Sequence, residues 1–380
     1  MNIEKQVRTE LRSAKPYLPG KPIQEVQREL GLKRVVKLAS NESFLGPSPK
    51  ALSAQRKAAK DVWLYPEGAS PLLRRAAAGH AGVAEGQVIV GNGSDEIIRL
   101  LCETFAGRGD EVVCSDCGFI RFRQQSEMMG AKVVSVPMKN LKHDLFAMAR
   151  SVTPKTKMMF VASPNNPTGT YNTRAEVSSL LRSLPKDCLL ILDEAYYHYA
   201  TGLEDYPEST LEFLPKHDNL IVLRTFSKAY GLAGLRVGLG FANAELVSWI
   251  DRIRMPFNVN LPAQAAALAA LEDKAFLRRC VRETAKNREA LASALEFMGL
   301  HCVPSTANFL CVETPIPGAE LFRQLLRRGV IVRPLDEYGL TRHVRISVGS
   351  AAQNKFLLLA LKKIEGLFSG RERREEALSR

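Results

Sequence analysis

Thr225-Phe226-Ser227-Lys228 closes the apolar run 220–223, and Arg236 follows it across a glycine-rich turn. An amine that attacks a carbonyl must first shed its proton, which burial or a neighbouring cation favours. Two hydroxyls and a guanidinium are good ligands for a phosphate. The group therefore reads as a Schiff-base lysine beside an anion site. Ser-Lys after a strand is equally the pattern of an ordinary surface lysine, so the chemistry has to be carried by other residues as well.

Four further groups supply them. Gly91-Asn92-Gly93-Ser94-Asp95-Glu96 lies between an apolar run and a helical pattern, where small residues let backbone N–H groups face an anion. It lacks the third glycine of a dinucleotide fingerprint, and capping by Ser94 or Asp95 is its other reading. Phe119 follows the run 111–114 and offers a ring for stacking, or a core residue. In Ser163-Pro164-Asn165-Asn166-Pro167-Thr168-Gly169 the prolines and the glycine fix a turn that presents the Asn166 amide. Asp193 ends the run 190–192, where a nearly buried carboxylate either caps a helix or needs a cationic partner. A protonated pyridine nitrogen is such a partner, and Tyr196 lies within reach of the same ring's phenolic oxygen. Taken together, the five groups point to pyridoxal 5'-phosphate. Lys228 forms the imine, while Thr225, Ser227, Arg236 and the turn Gly93-Ser94-Asp95 surround the phosphate.

The elements that must position these residues are legible as short apolar runs at 87–90, 111–114, 132–136, 157–161, 189–192, 220–223 and 237–241. Helical spacing over 94–106, 119–130 and 173–184 separates several of them. That alternation predicts an α/β fold with a buried, mostly parallel sheet, and most of the five groups fall at carboxyl ends of its strands, where such sheets bind ligands. Beyond residue 260 the pattern becomes a long alanine-rich helical stretch over 262–298. Short strands at 301–303, 308–312, 330–332 and 344–348 and a last helix over 351–367 follow. We therefore expect an arm over 1–35 that stands apart or completes the small domain, a large cofactor domain over 36–260 and a small α+β domain over 261–380.

Composition narrows the function. The 380 residues carry a net charge of +13, but the basic residues are dispersed, with no aromatic-basic stripe or zinc-finger spacing. Nucleic acid is therefore not an expected partner. No apolar run reaches spanning length and no signal-peptide pattern opens the chain, which makes the cytoplasm the expected location. Seven cysteines argue against a disulfide framework. Cys114 and Cys117 form a lone CxxC without a second pair, so no metal site is expected.

The motifs in their order resemble the fold-type I, class I/II aminotransferases, and within them the histidinol-phosphate branch. The stretches 16–22, 36–42, 65–68, 93–96, 166–169, 193–196, 225–228, 329–335, 338–340 and 344–349 carry the resemblance over nearly the whole chain. It implies transamination of L-histidinol phosphate with 2-oxoglutarate. Aromatic amino acids are the alternative substrates; decarboxylation of a phosphorylated amino acid and a non-catalytic regulator are the remaining readings. The resemblance also implies that Lys228 moves the substrate proton, Asp193 keeps the pyridine nitrogen protonated, Asn166 and Tyr196 hold the phenolic oxygen, and Phe119 stacks on the ring. Arg345 and Arg333 would bind the substrate's anionic group, with Tyr17, Asn41 and Asn308 close by. Tyr65 would reach the cofactor phosphate of a second subunit, which makes a homodimer with shared sites the expected assembly. Three departures stand out: Asn41-Glu42-Ser43-Phe44 where Asn-Glu-Asn-Pro is usual, Cys117-Gly118 before the stacking aromatic, and Asp336-Glu337 where small residues are common.

Overall fold

Along the central strands, successive side chains alternate between two apolar layers. Val113, Met159, Val161, Leu190, Leu192, Leu220 and Val222 face one core, and Val112, Cys114, Met158, Phe160, Ile191, Ile221 and Leu223 face the other. A strand covered on both faces must be apolar at every position, which is why the sequence shows unbroken runs there. Each such side chain, fully buried, is worth about 1.5–3 kcal/mol of transfer free energy.

The computed structural model describes residues 3–12, 14, 20–207, 210–364 and 367. Its strands in chain order are β1 (Val36–Lys37), β2 (Val88–Gly91), β3 (Glu111–Ser115), β4 (Lys132–Val136), β5 (Thr156–Ala162), β6 (Leu189–Asp193), β7 (Leu220–Thr225) and β8 (Gly238–Ala242). They continue with β9 (His301–Cys302), β10 (Phe309–Glu313), β11 (Val330–Ile331), β12 (Arg333–Leu335) and β13 (Leu340–Ser347). Seven of them form the large sheet in the order β2-β8-β7-β6-β5-β3-β4. Only β8 runs against its neighbours. The carboxyl ends of β2, β3, β5, β6 and β7 thus share one edge. A second, antiparallel sheet has the order β12-β13-β10-β9 and its own core of Leu310, Val312, Val344 and Ile346.

Two elements differ from the division expected at residues 36 and 260. β1 pairs in parallel with β11, through Val36 to Val330 and Lys37 to Ile331, and so sits with the smaller part of the molecule. The helix Leu261–Glu272, expected beyond the large domain, packs Ala263, Ala266, Ala267 and Ala270 into the large-sheet core. The alanine-rich stretch is also two helices rather than one. Asp273 ends the first and caps the helix Lys274–Phe297, accepting from the Phe276 N–H at 3.3 Å. The last helix stops at Leu361, short of the expected 367.

Candidate active site

Lys228 lines a cleft of about 270 Å³ at the carboxyl edge of the large sheet. β7 delivers it: Thr225 ends the strand, its Oγ1 accepts from the Ser227 N–H at 3.1 Å, and the turned chain aims Lys228 inward. Its Nζ donates to the Ser40 carbonyl at 3.3 Å and lies 5.6 Å from the centre of the Tyr196 ring.

One end of the cleft is an anion cradle. The helix Ser94–Phe105 begins there with Gly93 as its cap residue and no side-chain cap, leaving its first N–H groups for a ligand. Gly93 has φ +77°, and a Cβ on it would fall 2.4 Å from Nη2 of Arg236, so glycine lets that guanidinium close over the helix start. Gly238 does the same from beneath: a Cβ there would lie 2.2 Å from the Ser94 nitrogen. Arg236, itself left-handed at φ +58°, donates to Ser227 Oγ at 3.2 Å. Asp95 reaches the cleft, but Arg121 grips its carboxylate with bonds of 2.8 and 3.2 Å. Arg121 thereby removes the repulsion a bare carboxylate would exert on a bound anion.

The middle of the cleft fits a flat, nitrogen-containing ring. Asp193, the last residue of β6, is buried and accepts from the Ala195 N–H at 3.0 Å. Burial pushes its pKa up to about 7, against the opposing effects of that N–H and of Lys228. A cationic N–H partner would offset that desolvation. Phe119 caps the helix Ile120–Met128 and packs edge-on to Phe122 with ring centres 5.5 Å apart. The Tyr196 hydroxyl accepts from Asn41 Nδ2 at 2.9 Å, which leaves its proton to donate to a ligand oxygen.

In the same cleft, Arg345 on β13 donates to Asn166 Oδ1 and to the Ala39 carbonyl, both at 2.5 Å. Asn166 thus spends its oxygen on Arg345 and keeps its NH2 group for a ligand. Arg345 is 8% exposed, and its Nε is a buried donor without a partner. Arg333 lines the cleft beside it and is paired with Glu337 at 2.6 Å.

Of the residues expected from the sequence, Ser94, Asp95, Phe119, Asn166, Asp193, Tyr196, Thr225, Ser227, Lys228, Arg236, Asn41, Arg333 and Arg345 line this one cleft. Asn308 stands behind it, its amide supporting the Asn41 carbonyl at 2.9 Å. Tyr65 lies away from it, 82% exposed and stacked on Phe257 at 4.7 Å. Tyr17 falls outside the described residues. Cys117 is buried and donates to the Tyr338 carbonyl rather than facing the cleft. Sequence reasoning missed Arg121, Ser40 and Ser347, whose hydroxyl bonds both the N–H and the side chain of Asn41. Their roles arise from contacts between distant segments, for which a single sequence carries no local signal.

The sequence model of the aminotransferase class I and II family matches residues 33–361. The chain belongs to that family. It is 46% identical to a histidinol-phosphate aminotransferase of Moorella thermoacetica over 93% of this chain and 91% of the relative. A histidinol-phosphate aminotransferase of an Anaeromyxobacter species is 47% identical over 93% and 97% of the two chains. Among solved structures, the Sinorhizobium meliloti histidinol-phosphate aminotransferase in complex with pyridoxal-5'-phosphate superposes with a TM-score of 0.86 at 30% identity. That match covers 94% of this aminotransferase and 96% of its neighbour.

Proposed function

We propose that this aminotransferase uses pyridoxal phosphate to exchange the amino group of L-histidinol phosphate with 2-oxoglutarate, yielding imidazole-acetol phosphate and glutamate. The observation that carries the reading is the second anion site. Arg333 and Arg345 line the same cleft as Ser94, Ser227 and Arg236 of the cradle, and Arg345 Nε is buried without a partner. The names of the relatives at 46–47% identity support the same substrate.

When bound, pyridoxal phosphate supplies an electron-accepting ring that stabilises negative charge at the substrate's α-carbon. The chain's residues do the rest. Gly93, Ser94, Asp95, Thr225, Ser227 and Arg236 hold the cofactor phosphate. Phe119 covers one face of the ring. Asp193 keeps the ring nitrogen protonated, and Asn166 and Tyr196 donate to the ring oxygen. Lys228 would move the proton between the substrate α-carbon and cofactor C4′. Arg333 and Arg345 bind the phosphate of one substrate and a carboxylate of the other, with Asn41, Asn308 and Tyr17 around them.

The reading includes the division into an arm, a large and a small domain, with β1 and the helix Leu261–Glu272 crossing its boundaries. It also includes a homodimer in which Tyr65 of the partner subunit completes the phosphate site. The exposed run Val62, Trp63, Leu64 and Tyr65, together with Met255 and Phe257, supports that assembly. A cytoplasmic setting is supported by the seven cysteines, all free and buried. Among the described residues no helix is long and apolar enough to cross a membrane.

The test compares kcat/KM for L-histidinol phosphate, phenylalanine and tyrosine with 2-oxoglutarate as acceptor. The phosphorylated amine should be preferred. Preference for an aromatic amino acid would replace the substrate and leave the chemistry standing.

A further inference from the structure

Arg333 and Arg345 are direct cross-strand partners in the β12–β13 pair. Like charges placed opposite one another in a sheet repel, so the pair calls for negative charge nearby. The two guanidiniums meet that need differently. Arg345 donates to two neutral acceptors, the Asn166 side chain and the Ala39 carbonyl, and keeps an unpartnered Nε. Arg333 donates to the carboxylate of Glu337, four residues on, in the turn Asp336–Tyr338.

The geometry points to Glu337 as a specificity-determining residue, a built-in counter-ion that sets how much charge the anion subsite offers a substrate. The inference rests on the reading that Arg333 and Arg345 take the substrate's anionic group. With Glu337 in place, the pair offers about one uncompensated positive charge. A carboxylate matches that charge, whereas a phosphate monoester brings nearly two negative charges and must share Arg333 with Glu337. The subsite has to hold each of these groups in alternate half-reactions and release both. A tempered charge keeps the two affinities close, whereas the two guanidiniums without that carboxylate would favour the dianion strongly.

Glu337→Gln preserves the size of the side chain and an oxygen for Arg333 while deleting the charge. The measurement is competitive inhibition of the cofactor-loaded enzyme by inorganic phosphate and by acetate, at a pH where phosphate is mainly dianionic. In Glu337→Gln the preference for phosphate over acetate should rise roughly tenfold, the worth of one partly screened charge at this range. The rise should vanish in Arg333→Gln/Glu337→Gln, and Glu337→Asp, which keeps the charge, should stay within about twofold of the unaltered enzyme. Equal changes for both anions, or none, would overturn the role of Glu337. If Glu337→Gln does not fold, a phosphate preference in Glu337→Asp that departs well beyond twofold overturns it instead. Phosphate inhibition indifferent to Arg345→Gln would overturn the anion subsite and, with it, this inference. Failure to turn over histidinol phosphate, with the charge effect intact, would overturn only the substrate.

Discussion

At the scale of single residues, the site combines buried groups such as Asp193, Asn166 and Arg345 with the half-buried Lys228 and the exposed Arg236. Lys228 is the most exacting, because among the described residues no other lysine lines the cleft. Lys228→Ala should lower turnover about a thousandfold or more and remove the visible absorption of the bound cofactor. Rates and spectra matching the unaltered enzyme would defeat the assignment. Asp193 allows a test by pH. Its pKa in the folded, cofactor-free protein is raised from 3.8 to about 7 by burial. The folded state therefore binds this proton more tightly than the unfolded chain does. Its contribution to stability is fully present below the unfolded value and is lost as pH rises from about 4 to 7, by up to ~1.4 kcal/mol per unit. Asp193→Asn should flatten that part of the cofactor-free stability curve. A curve that keeps its slope in the variant would show that Asp193 is not the titrating group.

At the scale of elements, the cradle depends on how closely β8 approaches the start of the helix Ser94–Phe105. Gly238→Ala would place a methyl group 2.2 Å from the Ser94 nitrogen. The helix start must move, at a cost of about 1–3 kcal/mol by the usual toll of overpacking. The measured result should be a lower melting temperature and faster loss of cofactor on dialysis, and unchanged retention would count against the cradle. This scale also divides what the sequence reveals from what it conceals. The runs that became β3, β5, β6 and β7 were legible because a two-sided core demands apolar residues at every position. Lys228, Asp193 and Asn166 were legible because they end or closely follow those runs. The break at Asp273 had a local signal, an aspartate three residues before Phe276, which the alanine-rich flanks masked. The Asp95–Arg121 grip and the β1–β11 pairing had none. Each depends on where the chain returns after many residues.

For the whole molecule, the exposed apolar run from Val62 to Tyr65 bears on assembly. Trp63 is 78% exposed beside the stacked Tyr65 and Phe257. Water-facing aromatic groups of this extent usually mark a protein interface. Trp63→Glu should therefore shift sedimentation toward the monomer, and activity should fall with it if the partner's Tyr65 completes the site. A dimer that persists with full activity would remove this surface from the interface.

The chain passes between the two sheets at two described places. One is the stretch after β1, where Ala39 and Ser40 offer their carbonyls to Arg345 and Lys228. The other is Asp273, a single residue between two helices. Lys228 and Arg345 both hold the first of these joins, one through Ser40 and the other through Ala39. A shift of the chain at these two neighbouring residues is therefore felt by the amine and by the anion-binding guanidinium together.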